Sequence, residues 1–211
     1  MKTILFDLDG TLTDSGEGIM NCAEVTLAYF GLPIPDRAEL RTMVGPPLAD
    51  SFLRFGIPAE RMDEAIEEYR KHYVRSGQFE NFPYPGVREL LEKLTAKGYA
   101  LYVATSKPEA MSIGILEHFD LAKYFRRICG ASTDKTRNSK EAVIAYLLAE
   151  CTTEGSVMMV GDTAFDVIGA KAHGIPTVGV SWGYGEIADM EAAGAIGIAY
   201  TMDELYEQLT K

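Results

Sequence analysis

"ILFDLDGTLTDSG", residues 4–16, runs an apolar segment straight into two carboxylates and a turn. Ile4, Leu5 and Phe6 suit a buried strand, yet Asp7 and Asp9 follow at once with Leu8 between them. In an extended strand, residues i and i+2 share a face, so the spacing predicts Asp7 and Asp9 side by side and Leu8 on the other face. Gly10 and Thr11 then turn the chain. At the carboxyl end of a parallel strand, two such acids would stand in the crevice where these sheets bind ligands.

The rest of the chain supplies a sheet for that strand. Strand-like runs fall at 3–8, 100–105, 127–129, 157–160, 177–180 and 196–200, with helical patterns at 87–97, 108–118, 139–149, 164–173, 187–193 and 202–209. Alternating strands and helices, with near-continuous apolar runs such as "YALYVAT" and "SVMMVGD", predict an α/β fold: a Rossmann-like parallel sheet covered on both faces. One stretch breaks the alternation. Residues 15–78 carry only helical patterns, at 19–30, 38–43, 48–55 and 59–75, and Asp36 and Glu39 mark a helix start there. The expectation is a small all-helical domain, 15–78, inserted into an α/β core made of 1–14 and 79–211.

Composition narrows the partners. Among 211 residues, 20 Lys and Arg stand against 31 Asp and Glu, a formal net charge of -11. Such a chain lacks the clustered positive charge that nucleic acid or an anionic membrane requires. No apolar run approaches the ~20 residues of a membrane span, and the chain enters its first strand without a leader-like segment. A cytoplasmic location is expected, as a monomer or homodimer. Cys22, Cys129 and Cys151 show no paired spacing and are expected to be reduced, packed thiols.

"VMMVGDTAFD" repeats the opening theme, an apolar strand running into Asp162, with Asp166 one turn into the next helix. Asp162 also reads as a helix N-cap. Several carboxylates at one sheet edge repel each other, and a hard divalent cation relieves that; Mg²⁺ takes one or two carboxylates together with waters and a phosphate. In "VATSKPEA", Thr105 and Ser106 offer hydroxyls and N–H groups to an anion just before a helix, as helix caps also do. Lys140 begins an apolar helix, an unfavourable place beside the helix dipole unless its ammonium reaches the acids; Lys135 and Arg137 lie close enough in sequence to do the same.

Taken in order, "DLDGTL", "ATSK", a lysine before a helix and "GDTAFD" resemble the haloacid dehalogenase superfamily, in the branch of phosphoglycolate phosphatases, 5′-nucleotidases and β-phosphoglucomutases. The resemblance spans the whole chain, including a helical cap after the first motif. It implies Asp7 as nucleophile, Asp9 as acid and base, and Lys140 as the neutralising cation. It also implies Gly10, Thr105 and Ser106 at the phosphate, and Mg²⁺ held by Asp7, the Asp9 carbonyl and Asp162, with Asp166 near the metal. Its third motif often has a Lys-Pro context, where this chain reads "NSKEAV". The implied activity is a Mg²⁺-dependent phosphatase acting on a small phosphorylated metabolite. A β-phosphoglucomutase-like isomerase is the alternative, and a phospho-acceptor switch, disfavoured by the DxD spacing and the insertion, is a third reading. The cap is expected to close over the site. Its loop 41–52 would face the pocket or form a plain turn, and Arg41 and Lys107 are expected to reach the substrate's distal end. His72, His118 and His173 lack metal spacing and are expected to be structural.

Overall fold

The structure, a computed structural model, describes residues 2–134, 136–153 and 155–211. The chain divides into two compact units, one of residues 1–13 and 83–211 and the other of residues 14–82. Lys135 lies outside the described residues.

The first unit is built on β1 (Thr3–Phe6), β4 (Ala100–Pro108), β5 (Arg127–Ala131), β6 (Val157–Gly161), β7 (Thr177–Val180) and β8 (Gly197–Ala199). Two-residue strands, β2 (Thr13–Asp14) and β3 (Phe82–Pro83), mark where the chain leaves and re-enters it. The sheet has the order β5-β4-β1-β6-β7-β8, and every neighbouring pair with a recorded register is parallel. The helices are α5 (Val87–Ala96), α6 (Glu109–His118), α7 (Lys140–Glu150), α8 (Ala164–Lys171), α9 (Ile187–Ala193) and α10 (Met202–Thr210).

β1 shows why its residues alternate as they do. Ile4, Phe6 and Leu8 join one core with Leu91 and Leu94 of α5, Leu116 of α6 and Leu205 of α10. Leu5 points the other way, into a core with Val143, Ile144 and Leu147 of α7 and Ala170 of α8. A strand buried on both faces carries apolar residues at both parities until the ligand edge, where Asp7 takes the next place on the Leu5 face.

Two elements end differently from expectation. β1 stops at Phe6, because the Leu8 carbonyl receives the N–H groups of Thr11, Leu12 and Thr13 and curls the chain into a turn. β4 runs on to Pro108, three residues past Thr105, and its register with β5 shifts between Ala104 and Pro108.

The second unit is helical: α1 (Gly16–Tyr29), α2 (Arg37–Arg41), α3 (Leu48–Arg54) and α4 (Met62–Arg75). Asp36 caps α2 by accepting the Glu39 N–H at 2.9 Å. Phe52 meets Tyr69 edge-on at 5.9 Å, and Tyr69 stacks on Tyr73 at 5.6 Å. Gly18 of α1 lies against the Gly77 carbonyl, where a Cβ would come within 1.9 Å. The cysteines are free thiols, and among the described residues no helix is long and apolar enough to cross a membrane.

Leu8 is fully buried between the two acids. Leu8→Ala is expected to cost about 2–5 kcal/mol of stability through the cavity it leaves. Urea unfolding checks this, and a change under about 1 kcal/mol would remove Leu8 from the core.

Candidate active site

Strand register brings the site together. Phe6 pairs with Val103 on one side and Val160 on the other. The residues that follow, Asp7, Ala104–Thr105 and Gly161–Asp162, therefore emerge at the same level of the carboxyl edge. The Asp7 N–H still donates to the Val160 carbonyl at 2.9 Å, which fixes its backbone to the sheet.

The side chains converge on Lys140, the first residue of α7. Ser139 caps that helix by accepting the Ala142 N–H at 3.2 Å. The Lys140 ammonium lies 2.7 Å from Asp7 Oδ1 and 2.7 Å from Asp166 Oδ1, and it donates to the Ala104 carbonyl at 2.9 Å. The acids repay the unfavourable helix position. Burial pulls the lysine toward neutrality, but the charges of Asp166 and Asp7 outweigh it and hold the group protonated.

Asp7 is 8% exposed. Burial lifts its carboxyl to about 6, with Lys140 opposing the rise and Asp166 adding to it. Among the described residues, both of its hydrogen-bond donors, Leu8 N–H at 2.7 Å and Lys140, fall on Oδ1. Oδ2 is the uncommitted oxygen.

Asp162 is fully buried, and burial, then Asp166 and Asp7, push its carboxyl well above the usual range. It is not the helix cap, since Thr163 takes that place. Its Oδ1 accepts the Thr11 hydroxyl at 3.0 Å and its Oδ2 the Tyr184 N–H at 2.9 Å. Asp166 is engaged on both oxygens: Oδ2 accepts the Thr163 N–H and hydroxyl at 3.0 and 2.9 Å, and Oδ1 faces Lys140.

Glycines make this packing possible. A Cβ on Gly10, Gly183 or Gly185 would come within 2.1, 2.3 or 2.2 Å of Asp162 atoms, and Gly10 also needs its φ of +83°. The loop "WGYG", 182–185, was not singled out from the sequence, although a Gly-x-Gly after a buried strand signals close backbone approach. Thr11, read there only as part of a turn, anchors Asp162, and its carbonyl accepts the Trp182 indole N–H at 3.2 Å.

Asp9 stands apart from this cluster. It lies in the turn after β1 and meets Lys107, whose Nζ is 3.0 and 2.9 Å from its two oxygens. Lys107, expected at the substrate's distal end, has a side chain 7% exposed whose ammonium grips Asp9. The β4 extension carries it there. Thr105 is buried and its hydroxyl accepts the Lys107 N–H at 3.2 Å, while Ser106 is exposed. Arg41 ends α2 in the helical unit and is exposed. A cleft of about 400 Å³ around Trp182, Tyr84 and Tyr206 is lined by none of Asp7, Asp9, Asp162 and Asp166.

One oxygen from each of Asp7, Asp162 and Asp166 lies within 4.8 Å of the others. When ionised, three buried carboxylates against one buried ammonium leave two negative charges unbalanced, and all the donors are hard oxygens. A divalent cation of oxygen preference fits that deficit. Asp7, Asp162 and Asp166 can each offer it an oxygen, Asp166 while Oδ1 also faces Lys140 and Oδ2 accepts from Thr163.

The profile of the family described as haloacid dehalogenase-like hydrolase matches residues 4–180. The chain is 40% identical over 191 residues to a 5′-nucleotidase of Pseudomonas aeruginosa, covering 90% of this chain and 86% of the relative. It is 42% identical over 211 residues to the tyrosine-protein kinase PtkA of Mycobacterium tuberculosis, covering 99% and 72%. The crystal structure of a predicted phosphatase from Clostridium acetobutylicum superposes with a TM-score of 0.92 at 41% identity, covering 99% of this chain and 97% of that one.

The raised Asp7 carboxyl has a measurable consequence. Asp7 binds its proton more tightly folded than unfolded, so in the cation-free protein its contribution to stability is present at acid pH and lost as pH rises through about 6. A divalent cation competes with that proton. The rise in Tm on adding Mg²⁺ is therefore expected to be larger at about pH 7.5 than at about pH 5. Equal shifts at both, or none, would count against a cation on these acids.

Proposed function

Because the chain belongs to the haloacid dehalogenase-like hydrolases, we propose that it is a Mg²⁺-dependent phosphatase cleaving a small phosphomonoester through an aspartyl-phosphate on Asp7. The observation that carries this is the Asp7 carboxylate, held through Oδ1 by Lys140 and Leu8 with Oδ2 uncommitted among the described residues. That is the posture of a positioned nucleophile.

In the first step Asp7 Oδ2 attacks phosphorus, the bond to the ester oxygen breaks, and Asp9 gives that oxygen its proton. In the second, a water gives its proton to Asp9 and attacks the phosphorus, and the bond to Asp7 breaks, restoring the carboxylate and releasing phosphate. Lys140 neutralises charge on Asp7 and on the phosphoryl group, while Thr105, the Ser106 N–H and the Gly10 backbone orient the phosphoryl oxygens. The carboxylates of Asp7 and Asp162 and the Asp9 main-chain carbonyl would hold Mg²⁺, which would supply further positive charge at the phosphate.

The P. aeruginosa relative's description supports nucleoside monophosphates as a substrate class; phosphoglycolate and sugar phosphates present the same group to the same core. β-Phosphoglucomutase-like isomerisation is the alternative, using the same aspartyl-phosphate but returning the phosphoryl group to sugar. The similarity to PtkA over 211 residues favours one further reading, phosphoryl transfer from a nucleotide to tyrosine.

The test is phosphate release with Mg²⁺ from nucleoside monophosphates, phosphoglycolate and hexose phosphates, with ATP and a tyrosine peptide as a separate arm. One monoester is expected to turn over with kcat/KM above about 10⁴ M⁻¹s⁻¹. Asp7→Asn is expected to lower kcat about 10⁴-fold or more with the fold intact by circular dichroism, and excess EDTA to silence the enzyme. Interconversion of sugar phosphates without release would favour the isomerase, and peptide phosphorylation without release the kinase. Full activity in Asp7→Asn would remove Asp7 as nucleophile.

A further inference from the structure

Asp9 is a short side chain in a turn, 22% exposed, which by itself would sample several rotamers in water. The structure does not leave it so. Lys107 chelates both of its oxygens, at 3.0 and 2.9 Å, from a side chain only 7% exposed. Exposed ion pairs order little, whereas a nearly buried ammonium with charge-assisted bonds to both oxygens of one carboxylate fixes its orientation.

The backbone that delivers Lys107 is irregular and held on several sides. β4 and β5 pair at Ala104–Cys129 and again at Pro108–Ala131, so β4 spends two more residues than β5 between those points. Bulges of this kind re-aim side chains beside active sites. The Lys107 N–H donates to the Thr105 hydroxyl at 3.2 Å. Its carbonyl lies over Gly130, where a Cβ would stand 2.5 Å away. Gly130 is held in turn by Glu109, which accepts its N–H at 3.1 Å and pairs with Arg137 at 2.9 Å.

We propose that Lys107 is the positioning residue for Asp9, a role that rests on the phosphatase reading above. Lys107 acts through Asp9 and takes no part in bond making. In the first step a misplaced Asp9 hurts most when the leaving oxygen needs a proton, as in an alkyl phosphate, and least for a good leaving group such as p-nitrophenolate. In the second step it slows water attack whatever the substrate, so the aspartyl-phosphate accumulates.

The experiment compares the full-length wild type, Lys107→Met and Lys107→Arg with Mg²⁺ on p-nitrophenyl phosphate and on glycerol 2-phosphate, trapping the phosphoenzyme by acid quench. Lys107→Met is expected to lose about 10²–10³-fold in kcat on glycerol 2-phosphate. Release of the first equivalent of p-nitrophenolate should stay within a few-fold of wild type, and the trapped phosphoenzyme fraction should rise. Lys107→Arg, which keeps a cation for Asp9, should recover at least about tenfold of the lost alkyl turnover. If Lys107→Met fails to fold, Lys107→Gln carries the same comparison. Equal losses on both esters with no rise in phosphoenzyme, or no loss on either, overturn the proposal. Asp7→Asn, run alongside, separates the two ideas. An active Asp7→Asn sinks the phosphatase mechanism itself, whereas an inactive one with no ester selectivity in Lys107→Met removes only the role of Lys107.

Discussion

The Lys140 ammonium is the contact on which the rest of the site depends. It is buried, and it lies against the Asp7 and Asp166 carboxylates and the Ala104 carbonyl. Those partners come from the end of β1, from the first turn of α8 and from β4. The lysine thus ties three elements at the one edge where their charges would otherwise drive them apart. Even its stem is accommodated, since a Cβ on Gly169 of α8 would stand 2.8 Å from the Lys140 Cβ. A buried cation held between two carboxylates and a carbonyl is costly to disturb, because removing any partner leaves the others desolvated and unmatched.

Around that tie the acids are sorted by environment. Asp7 and Asp162 are buried among one another and pushed toward the protonated form. Asp9, two residues from Asp7, is partly exposed and paired with its own lysine. Two carboxylates separated by one residue thus meet different cations, Lys140 and Lys107, delivered by different elements. A division of labour between them in the proposed cycle follows from that difference more readily than from sequence position. The glycines that enclose Asp162 serve the same end: they let the Tyr184 N–H and a dense wall of backbone reach a carboxylate that, among the described residues, pairs with no ammonium.

Much of this was legible in the chain. Apolar runs at both parities announced strands covered on two faces, and the α/β fold follows from their alternation with helices. Acids placed directly after such runs, at Asp7 and Asp162, could only emerge at the ligand edge. Lys140 stood at a helix start where the dipole disfavours it, and the acids there are the reason. Less was legible about endings. β1 stops at Phe6 because the Leu8 carbonyl captures three N–H groups of the turn, and β4 continues through Lys107 because a bulge admits it.

Local periodicity and residue type determined which segments are strands and helices and which residues arrive at the edge, because those preferences act within a few residues of the backbone. Partnership was decided only by the tertiary structure. Thr11 reaches Asp162 across 151 positions, Lys107 reaches Asp9 across 98, and Tyr184 reaches Asp162 across 22. Each pairing exists because β1 lies between β4 and β6, with β7 beyond. Strand order is a property of the whole packed sheet, and no short stretch of the sequence contains it.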